Sequence, residues 1–355
     1  MLAPRPRPAQ TTAASPAAGA CTRVVCASVW MPAGSAVEAL LALRAPILAR
    51  NQASGLRSAY LHAAGWLVQW HEGPAEAVRA AWAETEADPA HRQARVLHAS
   101  HGPATLAEPV QVTTLHAGDR PSDVALRLHR LRREGEQGWT AEPGEIWQAL
   151  CAPSLLAAPE GVGLLARRNL MTLASEDNES VEVLRALAQR CGVRLAYQRH
   201  AGADLRRADV GAAYADLPVS LSVVTRVMAL SRRSLDQGLA CLATLQVQQL
   251  VVLVGSSQRR TQELLQELAG LLRRLHTPPR VLLVAATEAE GQAAQAALTA
   301  LTGLPAPMEV CLTRQAQREL VLRMAHGQDA SPFFQALADG SAPGAVAAEA
   351  VSARR

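Results

Sequence analysis

The chain has 355 residues, 49% of them hydrophobic and 19% charged, with a formal net charge of +4; this is about two domains' worth of ordinary folded sequence and excludes disorder over most of the chain. All 35 basic residues are arginine, which excludes Schiff-base chemistry and the lysine of a phosphate-gripping loop. Aromatic residues are only 3%, so a basic surface with stacking rings is absent and nucleic acid is not an expected partner.

Residues 1–20 are an Ala/Pro/Thr stretch without apolar periodicity and are expected to be a disordered tail. They lack the apolar core of a signal peptide, and no run approaches the about 18 apolar residues of a membrane span, so a cytoplasmic protein is expected. TRVVCASV (22–29) should be a strand. Val37, Leu40, Leu41, Leu43, Ile47 and Leu48 then recur at spacings of three and four, the mark of a helix face. LRSAYLH (56–62) and WLVQWHE (66–72) flank Ala-Ala-Gly, the punctuation of a hairpin. Pro74 opens a second helix, ARVLHAS (94–100) reads as a strand, and PVQVTTLH (109–116) as a fifth. The order strand, helix, strand, strand, helix, strand predicts a ferredoxin-like α+β unit over residues 21–118.

A helical connector and linker is expected over 119–165. Within it, 122–134 has Val124, Leu128 and Leu131 on one helical face and Arg127, Arg130 and Arg133 around the other, a solvated basic face. Two Pro/Gly composition breaks follow, at 135–145 and 152–163. From 166 to 328 strands and helices alternate, and the continuous apolar runs 250–254 and 281–284 require a sheet buried on both faces. The prediction is an open, mostly parallel α/β domain. Residues 329–355 read as a short helix and a disordered tail. There Phe333 and Phe334 follow Ser331 and Pro332; the pair either docks on its own domain or fills a groove of a protein partner.

The segment R-N-Q-A-S-G-L-R-S-A-Y-L-H-A-A-G-W-L-V-Q-W-H-E-G-P-A-E-A-V (50–78), followed by A-D-P-A-H-R (87–92), resembles the BLUF domain, the blue-light sensor using flavin, over about residues 22–116. The recurring features are the asparagine after the first helix, the Gly-bounded hairpin, the Q-W-x-E-G strand end and the D-x-x-H-R after the second helix. The resemblance implies a flavin (FAD) between the two helices, with Gln69 as the glutamine that bonds it and Asn51 as the asparagine that touches it. The family's tyrosine position is Cys26, and a thiol is a weak hydrogen-bond donor, so ordinary BLUF photochemistry is not expected. Gly55-Leu56-Arg57-Ser58 also places a guanidinium where a small hydroxyl is usual.

The element order after 166 is similar to that of Ras-like small GTPases, especially the bacterial Arf-like branch. Its nucleotide motifs are missing. The phosphate-loop position between Ala174 and Val181 reads S-E-D-N-E-S, whose carboxylates would repel a triphosphate. SRRSLDQG (231–238) stands in place of a D-x-x-G switch, and AATEAE (285–290) in place of the base-reading motif. Asp216 is a strand-end carboxylate able to take a cation or to cap a turn. Seven of the ten histidines fall before residue 130, and His62 and His71 lie on paired strands, but no ligand set with metal spacing is apparent. The six cysteines form no C-x-x-C pair, so reduced thiols are expected and no zinc site.

The leading reading is a non-enzymatic regulatory or scaffold protein with protein partners, including a second copy of itself, and no resident cofactor. The alternative is a flavin-binding light or redox sensor using Gln69, Asn51 and Cys26. A second alternative is a cryptic nucleotide-binding module using Arg232 and Arg233.

Overall fold

Alternation of apolar and polar positions, interrupted by caps at each turn, resolves the chain into twelve strands and ten helices among the described residues. The computed structural model describes residues 21–138, 140–151, 166–176, 178–206, 210–220, 222–235, 238–275, 277–304 and 306–327. The first run is β1 (Cys21–Trp30), α1 (Ala36–Ala42), α2 (Arg44–Ser54), β2 (Arg57–Ala63), β3 (Trp66–Gly73), α3 (Ala75–Ala87), β4 (His91–Gly102) and β5 (Val110–His116). The first helix is broken at Leu43, because Pro46 has no N–H for the Ala42 carbonyl. The β2–β3 turn uses Ala64 and Gly65 at φ of 46° and 81°, the paired left-handed conformation that matches strand twist.

Two helices follow, α4 (Pro121–Glu136) and α5 (Pro143–Cys151). The second of these lies largely between the two composition breaks, within the span expected to be connector and linker, and it forms because Ile146, Trp147 and Leu150 share one buried face. The remaining run is β6 (Ala166–Ala174), α6 (Glu179–Cys191), β7 (Leu195–Ala201), β8 (Val210–Pro218), β9 (Val223–Leu230), α7 (Gly238–Leu242), β10 (Gln249–Val254), α8 (Gln258–Leu272), β11 (Arg280–Ala285), α9 (Glu288–Thr302), β12 (Met308–Val310) and α10 (Arg314–Ala325). Ser257, Thr287 and Thr313 each accept a backbone N–H at a helix start, and Glu290 completes a capping box on α9. Phe333 and Phe334 lie outside the described residues.

All twelve strands form one sheet, in the order β12-β11-β10-β6-β9-β8-β7-β5-β2-β3-β1-β4. The strands from β12 to β9 are parallel, whereas β8 and β7 run antiparallel to their neighbours. The two units expected from the sequence therefore share a sheet. β7 pairs antiparallel with β5, from Val112↔Ala201 to His116↔Tyr197, so neither strand is left as an open edge.

One apolar core covers a whole face of this sheet. It takes Leu61 and Trp70 from the first run, Leu128 and Trp147 from α4 and α5, and Val252, Leu264 and Leu283 from the last. Burying each such side chain contributes about 1.5–3 kcal/mol, so the seam is held by packing as well as by its ladder. The opposite face carries separate clusters, one under α1 and α2, a small one under α3, and one under α6 and α10. Among the described residues no helix is long and apolar enough to cross a membrane.

Candidate functional site: the cleft between α2 and α3

Side chains alternate across a strand, so Cys26 and Ser28 on β1, Gln69 and His71 on β3, and Ser58 and Tyr60 on β2 all point to the face covered by α2 and α3. The ladder sets Gln69 directly between Cys26 on one side and Tyr60 on the other. Asn51 joins them from α2, buried to 1% exposure. The three residues implied by the resemblance, Cys26, Gln69 and Asn51, are thus brought together on one buried face.

A chain of hydrogen bonds connects Asn51 to Gln69. Arg50 donates to Asn51 Oδ1 at 3.2 Å, and Asn51 Nδ2 donates to Ser58 Oγ at 3.0 Å and to the Pro109 carbonyl at 2.7 Å. Ser58 Oγ lies 2.9 Å from His71 Nδ1, and His71 Nε2 lies 3.1 Å from Gln69 Oε1. With the Ser58 hydroxyl donating to Nδ1, the Nε2 proton goes to Gln69, and every link has one donor and one acceptor. The Thr85 hydroxyl of α3 also sits 3.1 Å from Gln69 Oε1. Burial, reinforced by the Arg50 charge, holds His71 down to about 3, so its ring is neutral at physiological pH. Burial pushes the Cys26 thiol up to about 12, which makes it an inert apolar group.

Arg50 closes the cleft. Its guanidinium donates to Glu84 of α3 at 2.6 Å and to the Tyr60 hydroxyl at 3.2 Å, so it bridges the two helices over the sheet. Arg57, the guanidinium that the sequence places near this site, turns to the opposite face and donates to the Leu106 carbonyl. The acceptors and donors of Asn51, Ser58, His71 and the Gln69 carbonyl are spent on one another. As placed, these residues do not fit a flavin ring between α2 and α3.

Arg50, Ser58, Tyr60, Glu84 and Thr85 were not singled out by the sequence as site residues, and His71 stood out only beside His62, as a metal ligand. Their signal was the alternation that puts Ser58, Tyr60 and His71 on the face of Gln69. Two other motif residues are structural. Glu72 is buried and accepts from Trp70 Nε1 at 3.0 Å and from the backbone of Thr105 and Leu106 at 2.6 and 2.8 Å. Gly73 passes so close to the helix-to-strand turn that a Cβ would stand 3.0 Å from the Gly55 carbonyl.

The other candidates fall apart on geometry. His71 faces Ser58 across the ladder and His62 faces Leu67, so the two rings do not meet; His62 packs edge-on against Trp30 at 5.9 Å. No group of three metal-ligating side chains occurs among the described residues. Asp216 is neither a cap nor a free carboxylate. It forms a fully buried bidentate pair with Arg226 at 2.7 and 2.8 Å, and the guanidinium lies 4.4 Å over the Tyr214 ring. At the start of α6, Glu176 is paired with Arg260, and Glu179, raised by burial, lies 4.0 Å from Arg314. Arg232 is paired with Glu263.

No protein-family model matches the chain, and no curated protein matches it. Solved structures similar to parts of it are BLUF proteins. The BLUF structure of BlrP1 is 22% identical, with a TM-score of 0.24, over 26% of this chain and 63% of that one, so this chain spans less than two thirds of its length. The dark-state structure of the BLUF protein BlrB is 18% identical, with a TM-score of 0.24, over 33% of this chain and 86% of that one. Klebsiella pneumoniae BlrP1 with FMN and cyclic diGMP is 15% identical, with a TM-score of 0.27, over 83% of this chain and 77% of that one.

Proposed function

We propose that this chain is a non-enzymatic regulatory protein in which a BLUF-like half and a GTPase-like half serve as surfaces for protein partners. The observation that carries the reading is the closed cleft: the Arg50–Glu84 bridge joins α2 to α3, and the polar groups beneath it satisfy one another. The split order β4-β1-β3-β2, fully antiparallel, supports a ferredoxin-like first half. The order β8-β9-β6-β10-β11-β12, with β8 alone reversed, supports a GTPase-like second half. Carboxylates at the start of α6, in place of backbone amides open to a phosphate, support its lack of hydrolytic activity.

The test is the visible absorption spectrum of protein purified with added FAD, in the wild type and in Arg50→Ala. A colourless wild type is expected. A stoichiometric flavin band in the wild type would overturn the reading.

A second reading, a flavin-binding light sensor, is favoured by one observation: Cys26, Gln69 and Asn51 do converge on one buried face. It requires the Arg50–Glu84 bridge to open. Under it, both proteins would carry flavin, and Cys26→Tyr would restore a light-induced shift of the band.

A further inference from the structure

A second enclosed space lies on the other face of the sheet, at the seam of the two halves. Its floor is made by alternate residues of β6, β9, β8 and β7, and its roof by α5 and α7; the volume is about 310 Å³. This is the lower end of the range for small-molecule pockets. The walls are tied together before any occupant arrives. Gln198 on the floor donates to the Cys151 carbonyl of α5, Gln148 of α5 donates to the Leu242 carbonyl of α7, and Asn169 Nδ2 donates to the Gln246 carbonyl at 3.0 Å.

Two polar groups in this lining are left over. Trp147 Nε1 in the roof and His200 Nε2 in the floor have no hydrogen-bond partner among the described residues, although these two residues are only 1% and 4% exposed. Buried donors without acceptors are rare, and a native structure supplies them with a partner from outside the chain, water or ligand. The His200 ring is fixed from across the seam, with Nδ1 3.0 Å from the Thr113 hydroxyl of β5. When that hydroxyl donates, Nε2 carries the proton on the cavity side of the sheet. Burial holds His200 down to about 4, so the ring is neutral at physiological pH. The rest of the lining is largely apolar, with Met228, Leu239 and Leu242 among the residues that share the cavity with Trp147.

Arg167 stands at the mouth with no ion-pair or hydrogen-bond partner among the described residues. The neighbouring Arg226 is balanced by Asp216, and Arg130 adds positive charge beside Arg167. The one carboxylate among the described residues of the lining, Glu145, turns back to accept the Glu142 backbone N–H at 2.9 Å.

We propose that this cavity binds a small aromatic acid, its flat apolar body between Trp147, Met228, Leu239 and Leu242, its acceptor atoms on Trp147 Nε1 and His200 Nε2, and its anionic group toward Arg167. Such an occupant touches α5, α7 and the seam strand β7 at once, so both halves of the molecule would register it. The proposal is independent of whether the α2/α3 cleft holds flavin.

The test is a fluorescence titration of the full chain with 8-anilinonaphthalene-1-sulfonate, followed by competition with naphthalene-2-carboxylate and with naphthalen-2-ylmethylamine. One saturable site is expected, displaced by the acid and not by the amine. Ala212→Phe, which fills the floor, should weaken binding about tenfold or more, and Arg167→Glu at the exposed mouth about fivefold with unchanged thermal unfolding. If Ala212→Phe does not fold, Leu239→Phe fills the same space from the roof. Binding that is absent, equal in all variants, or displaced equally by the amine overturns the proposal. So does a crystal soaked with the acid in which ordered water alone bridges Trp147 and His200.

Discussion

In the cleft between α2 and α3, His71 is bonded at both ring nitrogens, to Ser58 and Gln69, whereas in the seam cavity His200 is bonded at one and leaves Nε2 open. Both rings are almost completely buried and both are held neutral by that burial. The difference lies in what their neighbours provide. Around His71, two strands and two helices contribute side chains of the right polarity to complete a chain, and Arg50 seals it. Around His200 the helix α5 contributes Trp147, whose Nε1 also has no hydrogen-bond partner among the described residues. A polar cluster that satisfies itself acts as structure, and one that does not calls for something from outside. The face that resembles a sensor is the completed one, and the face without any recognised motif is the open one.

The largest expected effect comes from breaking a satisfied buried pair. Asp216→Ala leaves the Arg226 guanidinium buried in the cavity floor without its carboxylate, and should cost about 3–5 kcal/mol in urea unfolding. Asp216→Leu combined with Arg226→Met should recover most of that loss, because the cost arises from an uncompensated charge and not from the lost pair. Equal losses in the single and double variants would show that the pair is needed for more than neutrality.

Acid should act on both regions together. His71 and His200 stay neutral in the folded protein down to about pH 3 and 4, while the same imidazoles in the unfolded chain take up protons below about 6.5. The unfolded state therefore binds more protons across that window. Stability is whole above pH 6.5 and falls on acidification by about 1.4 kcal/mol per pH unit for each histidine. Denaturation midpoints measured from pH 7.5 to 5 should fall in the wild type and fall with a shallower slope in His71→Gln. A slope unchanged by that substitution would place the protonation elsewhere.

Strands were legible in the sequence wherever their pattern was local. The apolar run of β10 marks it as buried on both faces, and it lies between β6 and β11. Cys26, Asn51 and Gln69 were placed in order by the motif around them, and they do share a face. What escaped depends on distant residues. Helix α5 hid between two Pro/Gly-rich breaks, and its Trp147 face gains meaning only against Trp70, 5.9 Å away. The β5–β7 pairing joins residues more than 80 positions apart, Thr113 to His200 among them, and nothing in either segment names the other. The Arg50–Glu84 bridge spans two helices in the same way. Asp216 and Arg226 were within reach of the sequence, since opposite charges at equal distances from the last pair of the hairpin, Pro218 and Val224, face each other across it.

Smaller effects sharpen the contrast between the two regions. Asn51→Ala removes the donor to Ser58 and Pro109 and the acceptor of Arg50, and should destabilise the protein by about 1–3 kcal/mol. Trp147→Phe should cost about 1–2 kcal/mol, the loss expected when a fully buried ring is made smaller, because the N–H it deletes has no partner among the described residues. The same substitution should weaken the aromatic anion in the cavity, because the indole N–H is one of its two proposed donors. In Asn51→Ala stability falls and affinity from anilinonaphthalenesulfonate titration holds, so affinity separates the two variants. A Trp147→Phe protein that binds the anion as the wild type does would mean that the indole N–H is no part of the site, and the cavity would then belong with the cleft as finished structure.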